Sequence, residues 1–210
     1  MNKLLKNSLK SYTGILGIGI LAGILCRMAD YSPPDTLWYF SSIQTLYGFW
    51  IITNTMIVLL STSNLCAGIS SFLYMFGMTL SFYGLQAILG QFIPLFSGGF
   101  RQSLFLIYSF LSFLCAIAAF ILYYWNRGNR FGSILYALPV GALSAEVIAV
   151  FLYFLKQHTF LFQLLMDVAG TLVFGIMFYK RSTGKWLYSI SLIVSLFVFF
   201  MLFFQSSLNL

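Results

Sequence analysis

Glu146 and Asp167 are two of only four acidic residues in the chain, and each lies inside a long apolar run. A carboxylate in such a medium is costly to keep, so residues of this kind mark substrate or ion sites, proton relays or polar contacts between helices. Two nearby carboxylates also repel, which calls for a shared proton, a cation or polar donors between them. The chemistry open to the pair is therefore threefold: a pocket for a cationic solute, a sodium or proton coupling site, or a protonated relay. The alternative is structural, each acid being protonated or paired with Arg27, Arg101, Gln44, Gln86 or Asn54 and serving to tie helices together.

The neighbours of both acids have helical spacing. Gln163, Asp167, Gly170 and Thr171 fall on one stripe, and Ala142, Glu146, Ala149 and Tyr153 fall on another that is narrow and mostly small. Pro139 lacks a backbone donor, so the carbonyl of Leu135 loses its normal partner and a kink is predicted one to two turns before Glu146. At about 1.5 Å per residue the two acids stand at similar depth, roughly 12–14 Å below one surface, on consecutive antiparallel helices.

The elements that must position these residues are membrane spans. With 60% hydrophobic, 20% aromatic and 7% charged residues, the chain has too little polar surface to cover a water-soluble globule. About 20 apolar residues cross a bilayer, and that length predicts an all-α polytopic transmembrane bundle with seven spans at 12–29, 38–60, 65–89, 103–125, 132–155, 159–179 and 186–205. The alternative is six, because Trp38, Tyr39 and Phe40 suit an interfacial segment that would shorten the second span. The connectors are too short for a second domain. Tyr31-Ser32-Pro33-Pro34-Asp35, Ser61 to Asn64, Pro94 with Ser97-Gly98-Gly99, Asn126 to Arg130 and Ser182 to Gly184 read as turns.

The net charge of +7 is scattered at the ends of apolar segments, a topological pattern and not a nucleic-acid patch. A cytoplasmic N-terminus places Lys3, Lys6, Lys10, Arg127, Arg130, Lys180, Arg181 and Lys185 inside and Arg27, Arg101 and Lys156 outside, in line with the positive-inside rule. The basic, apolar N-terminus has no small-x-small cleavage site, so it reads as a retained first helix.

Several helices carry small or polar faces: Gly19 and Gly23 in the first, Ser70, Tyr74, Gly77, Ser81 and Gly84 in the third, Ser109, Ser112, Ala116 and Ala119 in the fourth. Such faces let helices approach closely. Arg27 and Asp30 are spaced to pair at the outer end of the first helix, with a snorkelling arginine as the simplest reading. Cys26, Cys66 and Cys115 show no metal or disulfide spacing and read as buried thiols, and His158 is a lone histidine in an outer turn. A membrane thiol peptidase would need Cys26 and His158 together, and the motifs of nucleotide-binding, serine, zinc and intramembrane aspartyl enzymes are absent. No catalytic residue, cofactor or metal is expected.

The succession Gly19, Gly23, Arg27, Asp30, Pro33-Pro34, Leu37-Trp38, Ser61-x-Ser63, Gly77-Met78 and Tyr83 resembles a family of small multi-pass proteins of Gram-positive bacteria with no assigned activity. The resemblance covers mainly the first 85 residues and implies a bacterial plasma membrane. In size and in its polar layer the chain is also similar to the S-components of energy-coupling-factor transporters, although Gly19 and Gly23 replace their usual alanine pair and seven spans replace six.

The expected function is that of a transport protein or transporter subunit binding a small cationic or amphipathic solute in an outward-half pocket. Glu146 and Asp167 would neutralise its charge, and Gln163, Thr171, Gln86, Tyr74 and Tyr153 would complete the pocket. Any ATP-driven cycle would need a partner ATPase, since the chain has no nucleotide motif. The alternatives are a non-catalytic accessory or immunity-type membrane subunit and, third, a membrane enzyme.

Overall fold

Helix starts in this chain follow local chemistry. In the computed structural model, which describes residues 4–33, 36–41, 43, 46–92 and 100–204, the hydroxyl of Ser8 accepts from the Ser11 N–H at 3.3 Å and begins α1 (Leu9–Ala29). Ser63 does the same for α3 (Asn64–Leu89), accepting from Cys66 N–H at 3.1 Å, and Asn129 for α5 (Arg130–Gln157), accepting from Gly132 N–H at 2.9 Å. Each cap satisfies a backbone donor that the first turn would leave unpaired. The remaining helices are α2 (Tyr47–Leu60), α4 (Gln102–Leu122, prolonged by a 3-10 turn to Arg127), α6 (Leu161–Arg181) and α7 (Lys185–Phe199, prolonged by a π turn to Phe204).

Among the described residues the architecture is all-α, and six of the helices are long and apolar enough to cross a membrane. Exposed Leu106, Ile107, Phe110, Phe113 and Ile117 on α4, and Ile190, Ile193, Val194 and Phe197 on α7, make faces suited to lipid. The chain is a multi-pass membrane protein. The span predicted at 38–60 is the departure: its continuous helix has only 14 residues, about 21 Å of rise against a hydrocarbon core of about 30 Å. Pro139 does not interrupt α5, which runs as one helix of 28 residues. The turns expected at Pro34-Asp35 and at Pro94 with Ser97 to Gly99 lie outside the described residues, as does Gln44.

The chain divides into two compact units, Met1–Tyr31 with Asn54–Tyr123, and Ser32–Thr53 with Tyr124–Leu210. In the first, α1 and α3 run parallel. Leu5 pairs with Ser61 through hydrogen bonds from Leu5 N–H to Leu60 O at 3.0 Å and from Thr62 N–H to Leu5 O at 3.1 Å. Farther along, Gly19 meets the backbone of Tyr74, and Gly23 meets Met78 and Ser81. Residue numbers rise together on both helices, so Ala29 and Ser61 lie at opposite ends of the pair. α2 leads into Ser61 at the end of the pair where Leu5 lies. α4 then packs antiparallel on α3, with Gly68 near Ala116 and Phe120 at one end and Tyr83 near Phe105 and Tyr108 at the other.

In the second unit α5 is central. It runs parallel to α7, where Ser133 Oγ accepts from the Gly184 N–H at 3.1 Å and Gly141 faces Ser195. It runs antiparallel to α6, with Val140 beside Gly175 and Leu143 beside Gly170. Trp125, Tyr136 and Phe178 close one end as an aromatic stack, with ring centroids 4.9–5.2 Å apart. This unit holds both carboxylates that the sequence singles out.

Candidate functional site

Three polar side chains of α5 and α6, Glu146, Gln163 and Asp167, are each 0% exposed. Gln163 lies one turn before Asp167 on α6, so helical periodicity alone brings its amide to the carboxylate: Nε2 donates to Asp167 Oδ1 at 3.1 Å and Oδ2 at 3.0 Å. The same nitrogen reaches Glu146 Oε1 on α5 at a longer 3.4 Å. One amide therefore stands between the two acids, the polar donor that their repulsion requires. Two acceptors in the cluster, Glu146 Oε2 and Gln163 Oε1, have no hydrogen-bond partner among the described residues. Thr171 Oγ1, one turn beyond Asp167 on α6, is likewise buried and without a partner there. Leaving a buried acceptor unmade costs about 1–3 kcal/mol, more for a charged one.

The start of α2 completes the site. The carboxylate of Glu146 faces the backbone N–H groups of Tyr47 and Gly48, which belong to the first helical turn and lack intrahelical acceptors. Their dipole end is positive, about half an elementary charge. Gly48 is required by space: a Cβ there would fall 2.6 Å from Asp167 Cγ and 2.9 Å from Gln163 Nε2, and closer still to Asp167 Oδ1. Sequence reasoning misses Gly48, because a single glycine between Tyr47 and Phe49 carries no motif. The usable signal is the coincidence of a small residue with a helix start amid large aromatics.

Gly48→Ala is expected to disturb this cluster more than the fold. The atoms in its way are side-chain ends that can rotate aside, so the stability cost should stay near the low end of the ~1–3 kcal/mol typical of overpacking. Asp167 and Gln163 would nonetheless be displaced from Glu146. Chemical denaturation of the purified variant should show a small loss, while any ligand-induced stabilisation of the wild type should be absent from it.

The other expected site residues distribute differently. Tyr153 lies on α5, but its ring packs against Phe160 at 5.1 Å, in the turn that joins α5 to α6. Tyr74 and Gln86 are buried on α3, in the first unit. Within the second unit the structure brings together Glu146, Gln163 and Asp167, with Thr171 on the same face of α6. The partner that the acids share among the described residues is Gln163, which the sequence reading did not name as a structural partner.

Arg27 and Asp30 pair as expected, at 2.8 Å, but the arginine does not snorkel. It is 7% exposed, donates to Tyr31 Oη at 2.6 Å, and lies over the rings of Tyr31 and Phe82 at 4.9 and 5.0 Å. Buried in this way it clamps the end of α1 to α3. His158 serves through its backbone, ending α5 in the left-handed region at φ 54° with its N–H bonded to Phe154 O at 2.8 Å. Phe160, also left-handed at φ 69°, then starts α6, so a reversal of very few residues delivers Gln163 and Asp167 back against α5. Positive φ at a bulky aromatic residue is uncommon and costs about 1–3 kcal/mol. Cys26 and Cys66 are buried free thiols. Cys26 and His158 belong to different units.

Comparison with protein-family models, with curated proteins and with solved structures returns no match for this chain.

Proposed function

We propose that the chain is a membrane transport protein, or the membrane subunit of a transporter, with the Glu146–Gln163–Asp167 cluster as its cation-binding centre. The observation that carries this reading is a wholly buried pair of carboxylates facing the first turn of a span that is helical over only part of its length. Interrupted spans place helix ends at membrane depth, and such ends with nearby carboxylates make ion and substrate sites in transporters. A bundle held together by polar contacts alone gains nothing from two acids on one amide, since apolar packing of equal volume is as stable or more so. A ligand is therefore favoured over a purely accessory role.

Depth supports an outward-half location. The first turn of α2 stands about 21 Å along its axis from the Ser61 end, beyond the midplane of a core about 30 Å thick. Ser61 pairs with Leu5, so the inner side is the one carrying the N-terminal lysines if the basic turns are cytoplasmic. A plasma-membrane location with the N-terminus inside accords with this charge pattern. The basic turns at Arg127 to Arg130 and Lys180 to Lys185 would then face the cytoplasm, where an ATPase partner could dock.

The test is thermal unfolding of the detergent-solubilised full chain against inorganic monovalent cations and small organic cations, beside the Glu146→Gln, Asp167→Asn double variant. A cation at 100 times its Kd should add about 2.7 kcal/mol of stability to the wild type and none to the variant. Equal stability of the wild type with every cation, at neutral and acidic pH, would overturn the reading.

A further inference from the structure

We infer that the ligand of this centre is a single dehydrated sodium ion, held by Glu146, Asp167 and a turned Gln163 amide; this rests on the cation-site reading above. The atoms left unmade are all of one kind. Glu146 Oε2 and Gln163 Oε1 are oxygen acceptors without partners among the described residues, on side chains that are 0% exposed. Thr171 Oγ1 adds a third unpartnered oxygen on the same face of α6. A proton would satisfy one acceptor and create a donor in need of another. A bare cation satisfies several acceptors at once and needs none.

Gln163 supplies the means. The two ends of a carboxamide are nearly alike in size, and half a turn of the group exchanges them. In the arrangement seen, Nε2 bridges the carboxylates, with Asp167 Oδ1 at 3.1 Å, Asp167 Oδ2 at 3.0 Å and Glu146 Oε1 at 3.4 Å. Turned over, Oε1 would occupy that place and face three carboxylate oxygens, which is repulsive unless a cation lies among them. Ca2+, close to Na+ in size, holds oxygens at about 2.3–2.6 Å, so oxygens sharing such an ion at right angles stand about 3.3–3.7 Å apart. The 3.4 Å separation between Gln163 and Glu146 falls in that range, and those to Asp167, at 3.0 and 3.1 Å, need only a few tenths of an ångström to reach it. The amide is thus a two-position element: nitrogen inward without the ion, oxygen inward with it.

Charge and donor number select among cations. Two carboxylates, one carboxamide and the Thr171 hydroxyl offer at most six oxygens, the lowest number that Ca2+ takes and reached only if every one of them turns to the ion, and Mg2+ usually keeps several waters, whereas these side chains are fully buried. Gly48 brings the backbone of α2 against Asp167 and Gln163, which narrows the space and disfavours the larger potassium ion and organic cations. The N–H groups of Tyr47 and Gly48 face Glu146 and offset part of the negative charge that one monovalent ion leaves.

The experiment measures thermal unfolding of the solubilised full chain in sodium, potassium and tetramethylammonium chloride at equal ionic strength, together with direct binding of radioactive sodium. A melting temperature several degrees higher in sodium alone, saturable, with one ion bound per chain, is the expected result. Glu146→Gln and Asp167→Asn should each remove the sodium response, and Thr171→Val should weaken sodium affinity by a few fold. Should either acid variant fail to fold, the stoichiometry on wild type still decides. Stabilisation by tetramethylammonium and not by sodium would overturn the sodium assignment while leaving a cation site. Indifference to all three salts, with no bound sodium, would overturn both.

Discussion

Glu146→Gln is expected to raise the melting temperature of the cation-free protein while abolishing its response to cations. The cause is that one amide serves two acids. Without a cation, Gln163 Nε2 is 3.0 and 3.1 Å from the oxygens of Asp167 but 3.4 Å from Glu146, so the amide serves Glu146 less well and leaves it to the N–H groups of Tyr47 and Gly48. Its second oxygen, Oε2, is buried and unpartnered. Replacing that carboxylate by a carboxamide of the same shape removes a buried charge and its repulsion with Asp167, and adds donors that Asp167 or Gln163 Oε1 can accept. Burying an ion costs several kcal/mol, part of which neutral replacement recovers. Asp167→Asn should gain less, because Asp167 already accepts twice from Gln163. A gain in cation-free stability coupled to loss of binding is the signature of a site maintained at the expense of the fold. If Glu146→Gln instead lowers the melting temperature as Glu146→Ala does, the carboxylate is a structural contact and not a ligand group.

Much of the fold is legible from composition and period alone, and the reasons are physical. Apolar runs of spanning length admit only helices in a bilayer, because every backbone group must be satisfied within its own segment. Gly19 and Gly23 are readable as a close-approach face for the same reason they work as one: spaced four apart, they expose backbone on a single stripe. Arg27 with Asp30, and Glu146 with Asp167, stand out because charge in an apolar run is rare. The Gln163–Asp167 contact is a spacing of four residues on one helix and could be read directly.

What is not legible depends on contacts distant in sequence. A hydropathy window over 38–60 sees one apolar segment, yet the continuous helix starts only at Tyr47. That start faces Glu146, a residue far along the chain, and no local signal reports it. Tyr74 and Gln86 share the polar, buried character of Gln163 and Asp167, but they are buried on α3, in the other unit. Tyr153 has the right helical register with Glu146, and the aromatic contact with Phe160 in the α5–α6 turn engages its ring. Polarity in an apolar helix marks a residue as engaged; only the tertiary structure says with what.

Gly23→Val is the substitution expected to damage the fold most. Gly23 is buried on α1, and a Cβ there would lie 2.9 Å from the carbonyl carbon of Met78 on α3, closer still to its oxygen and to Ser81 Oγ. Gly19 meets the backbone of Tyr74 in the same manner, one turn earlier. These obstacles differ in kind from those at Gly48. A carboxylate or amide can rotate away, whereas a helix backbone can be cleared only by moving the whole helix. In turn, Gly77 of α3 faces Leu16 and Ile20 of α1, so the contact is close from both sides. Lipid offers no hydrophobic drive to hold helices together, and their association rests on packing of this type. Separating α1 from α3 by even an ångström would forfeit dispersion along the entire parallel interface and loosen the Arg27 contact with Phe82 at its end. Gly23→Val, and Gly19→Val with it, should cost more than about 3 kcal/mol, at the upper end of overpacking effects. Gly17→Val is the internal control, since nothing lies within 4 Å of a Cβ at that position on the same helix. Yield of monodisperse protein in detergent should fall sharply for the first two and hold for the third. Equal yields for all three would show that α1 does not pack on α3 through its glycine face.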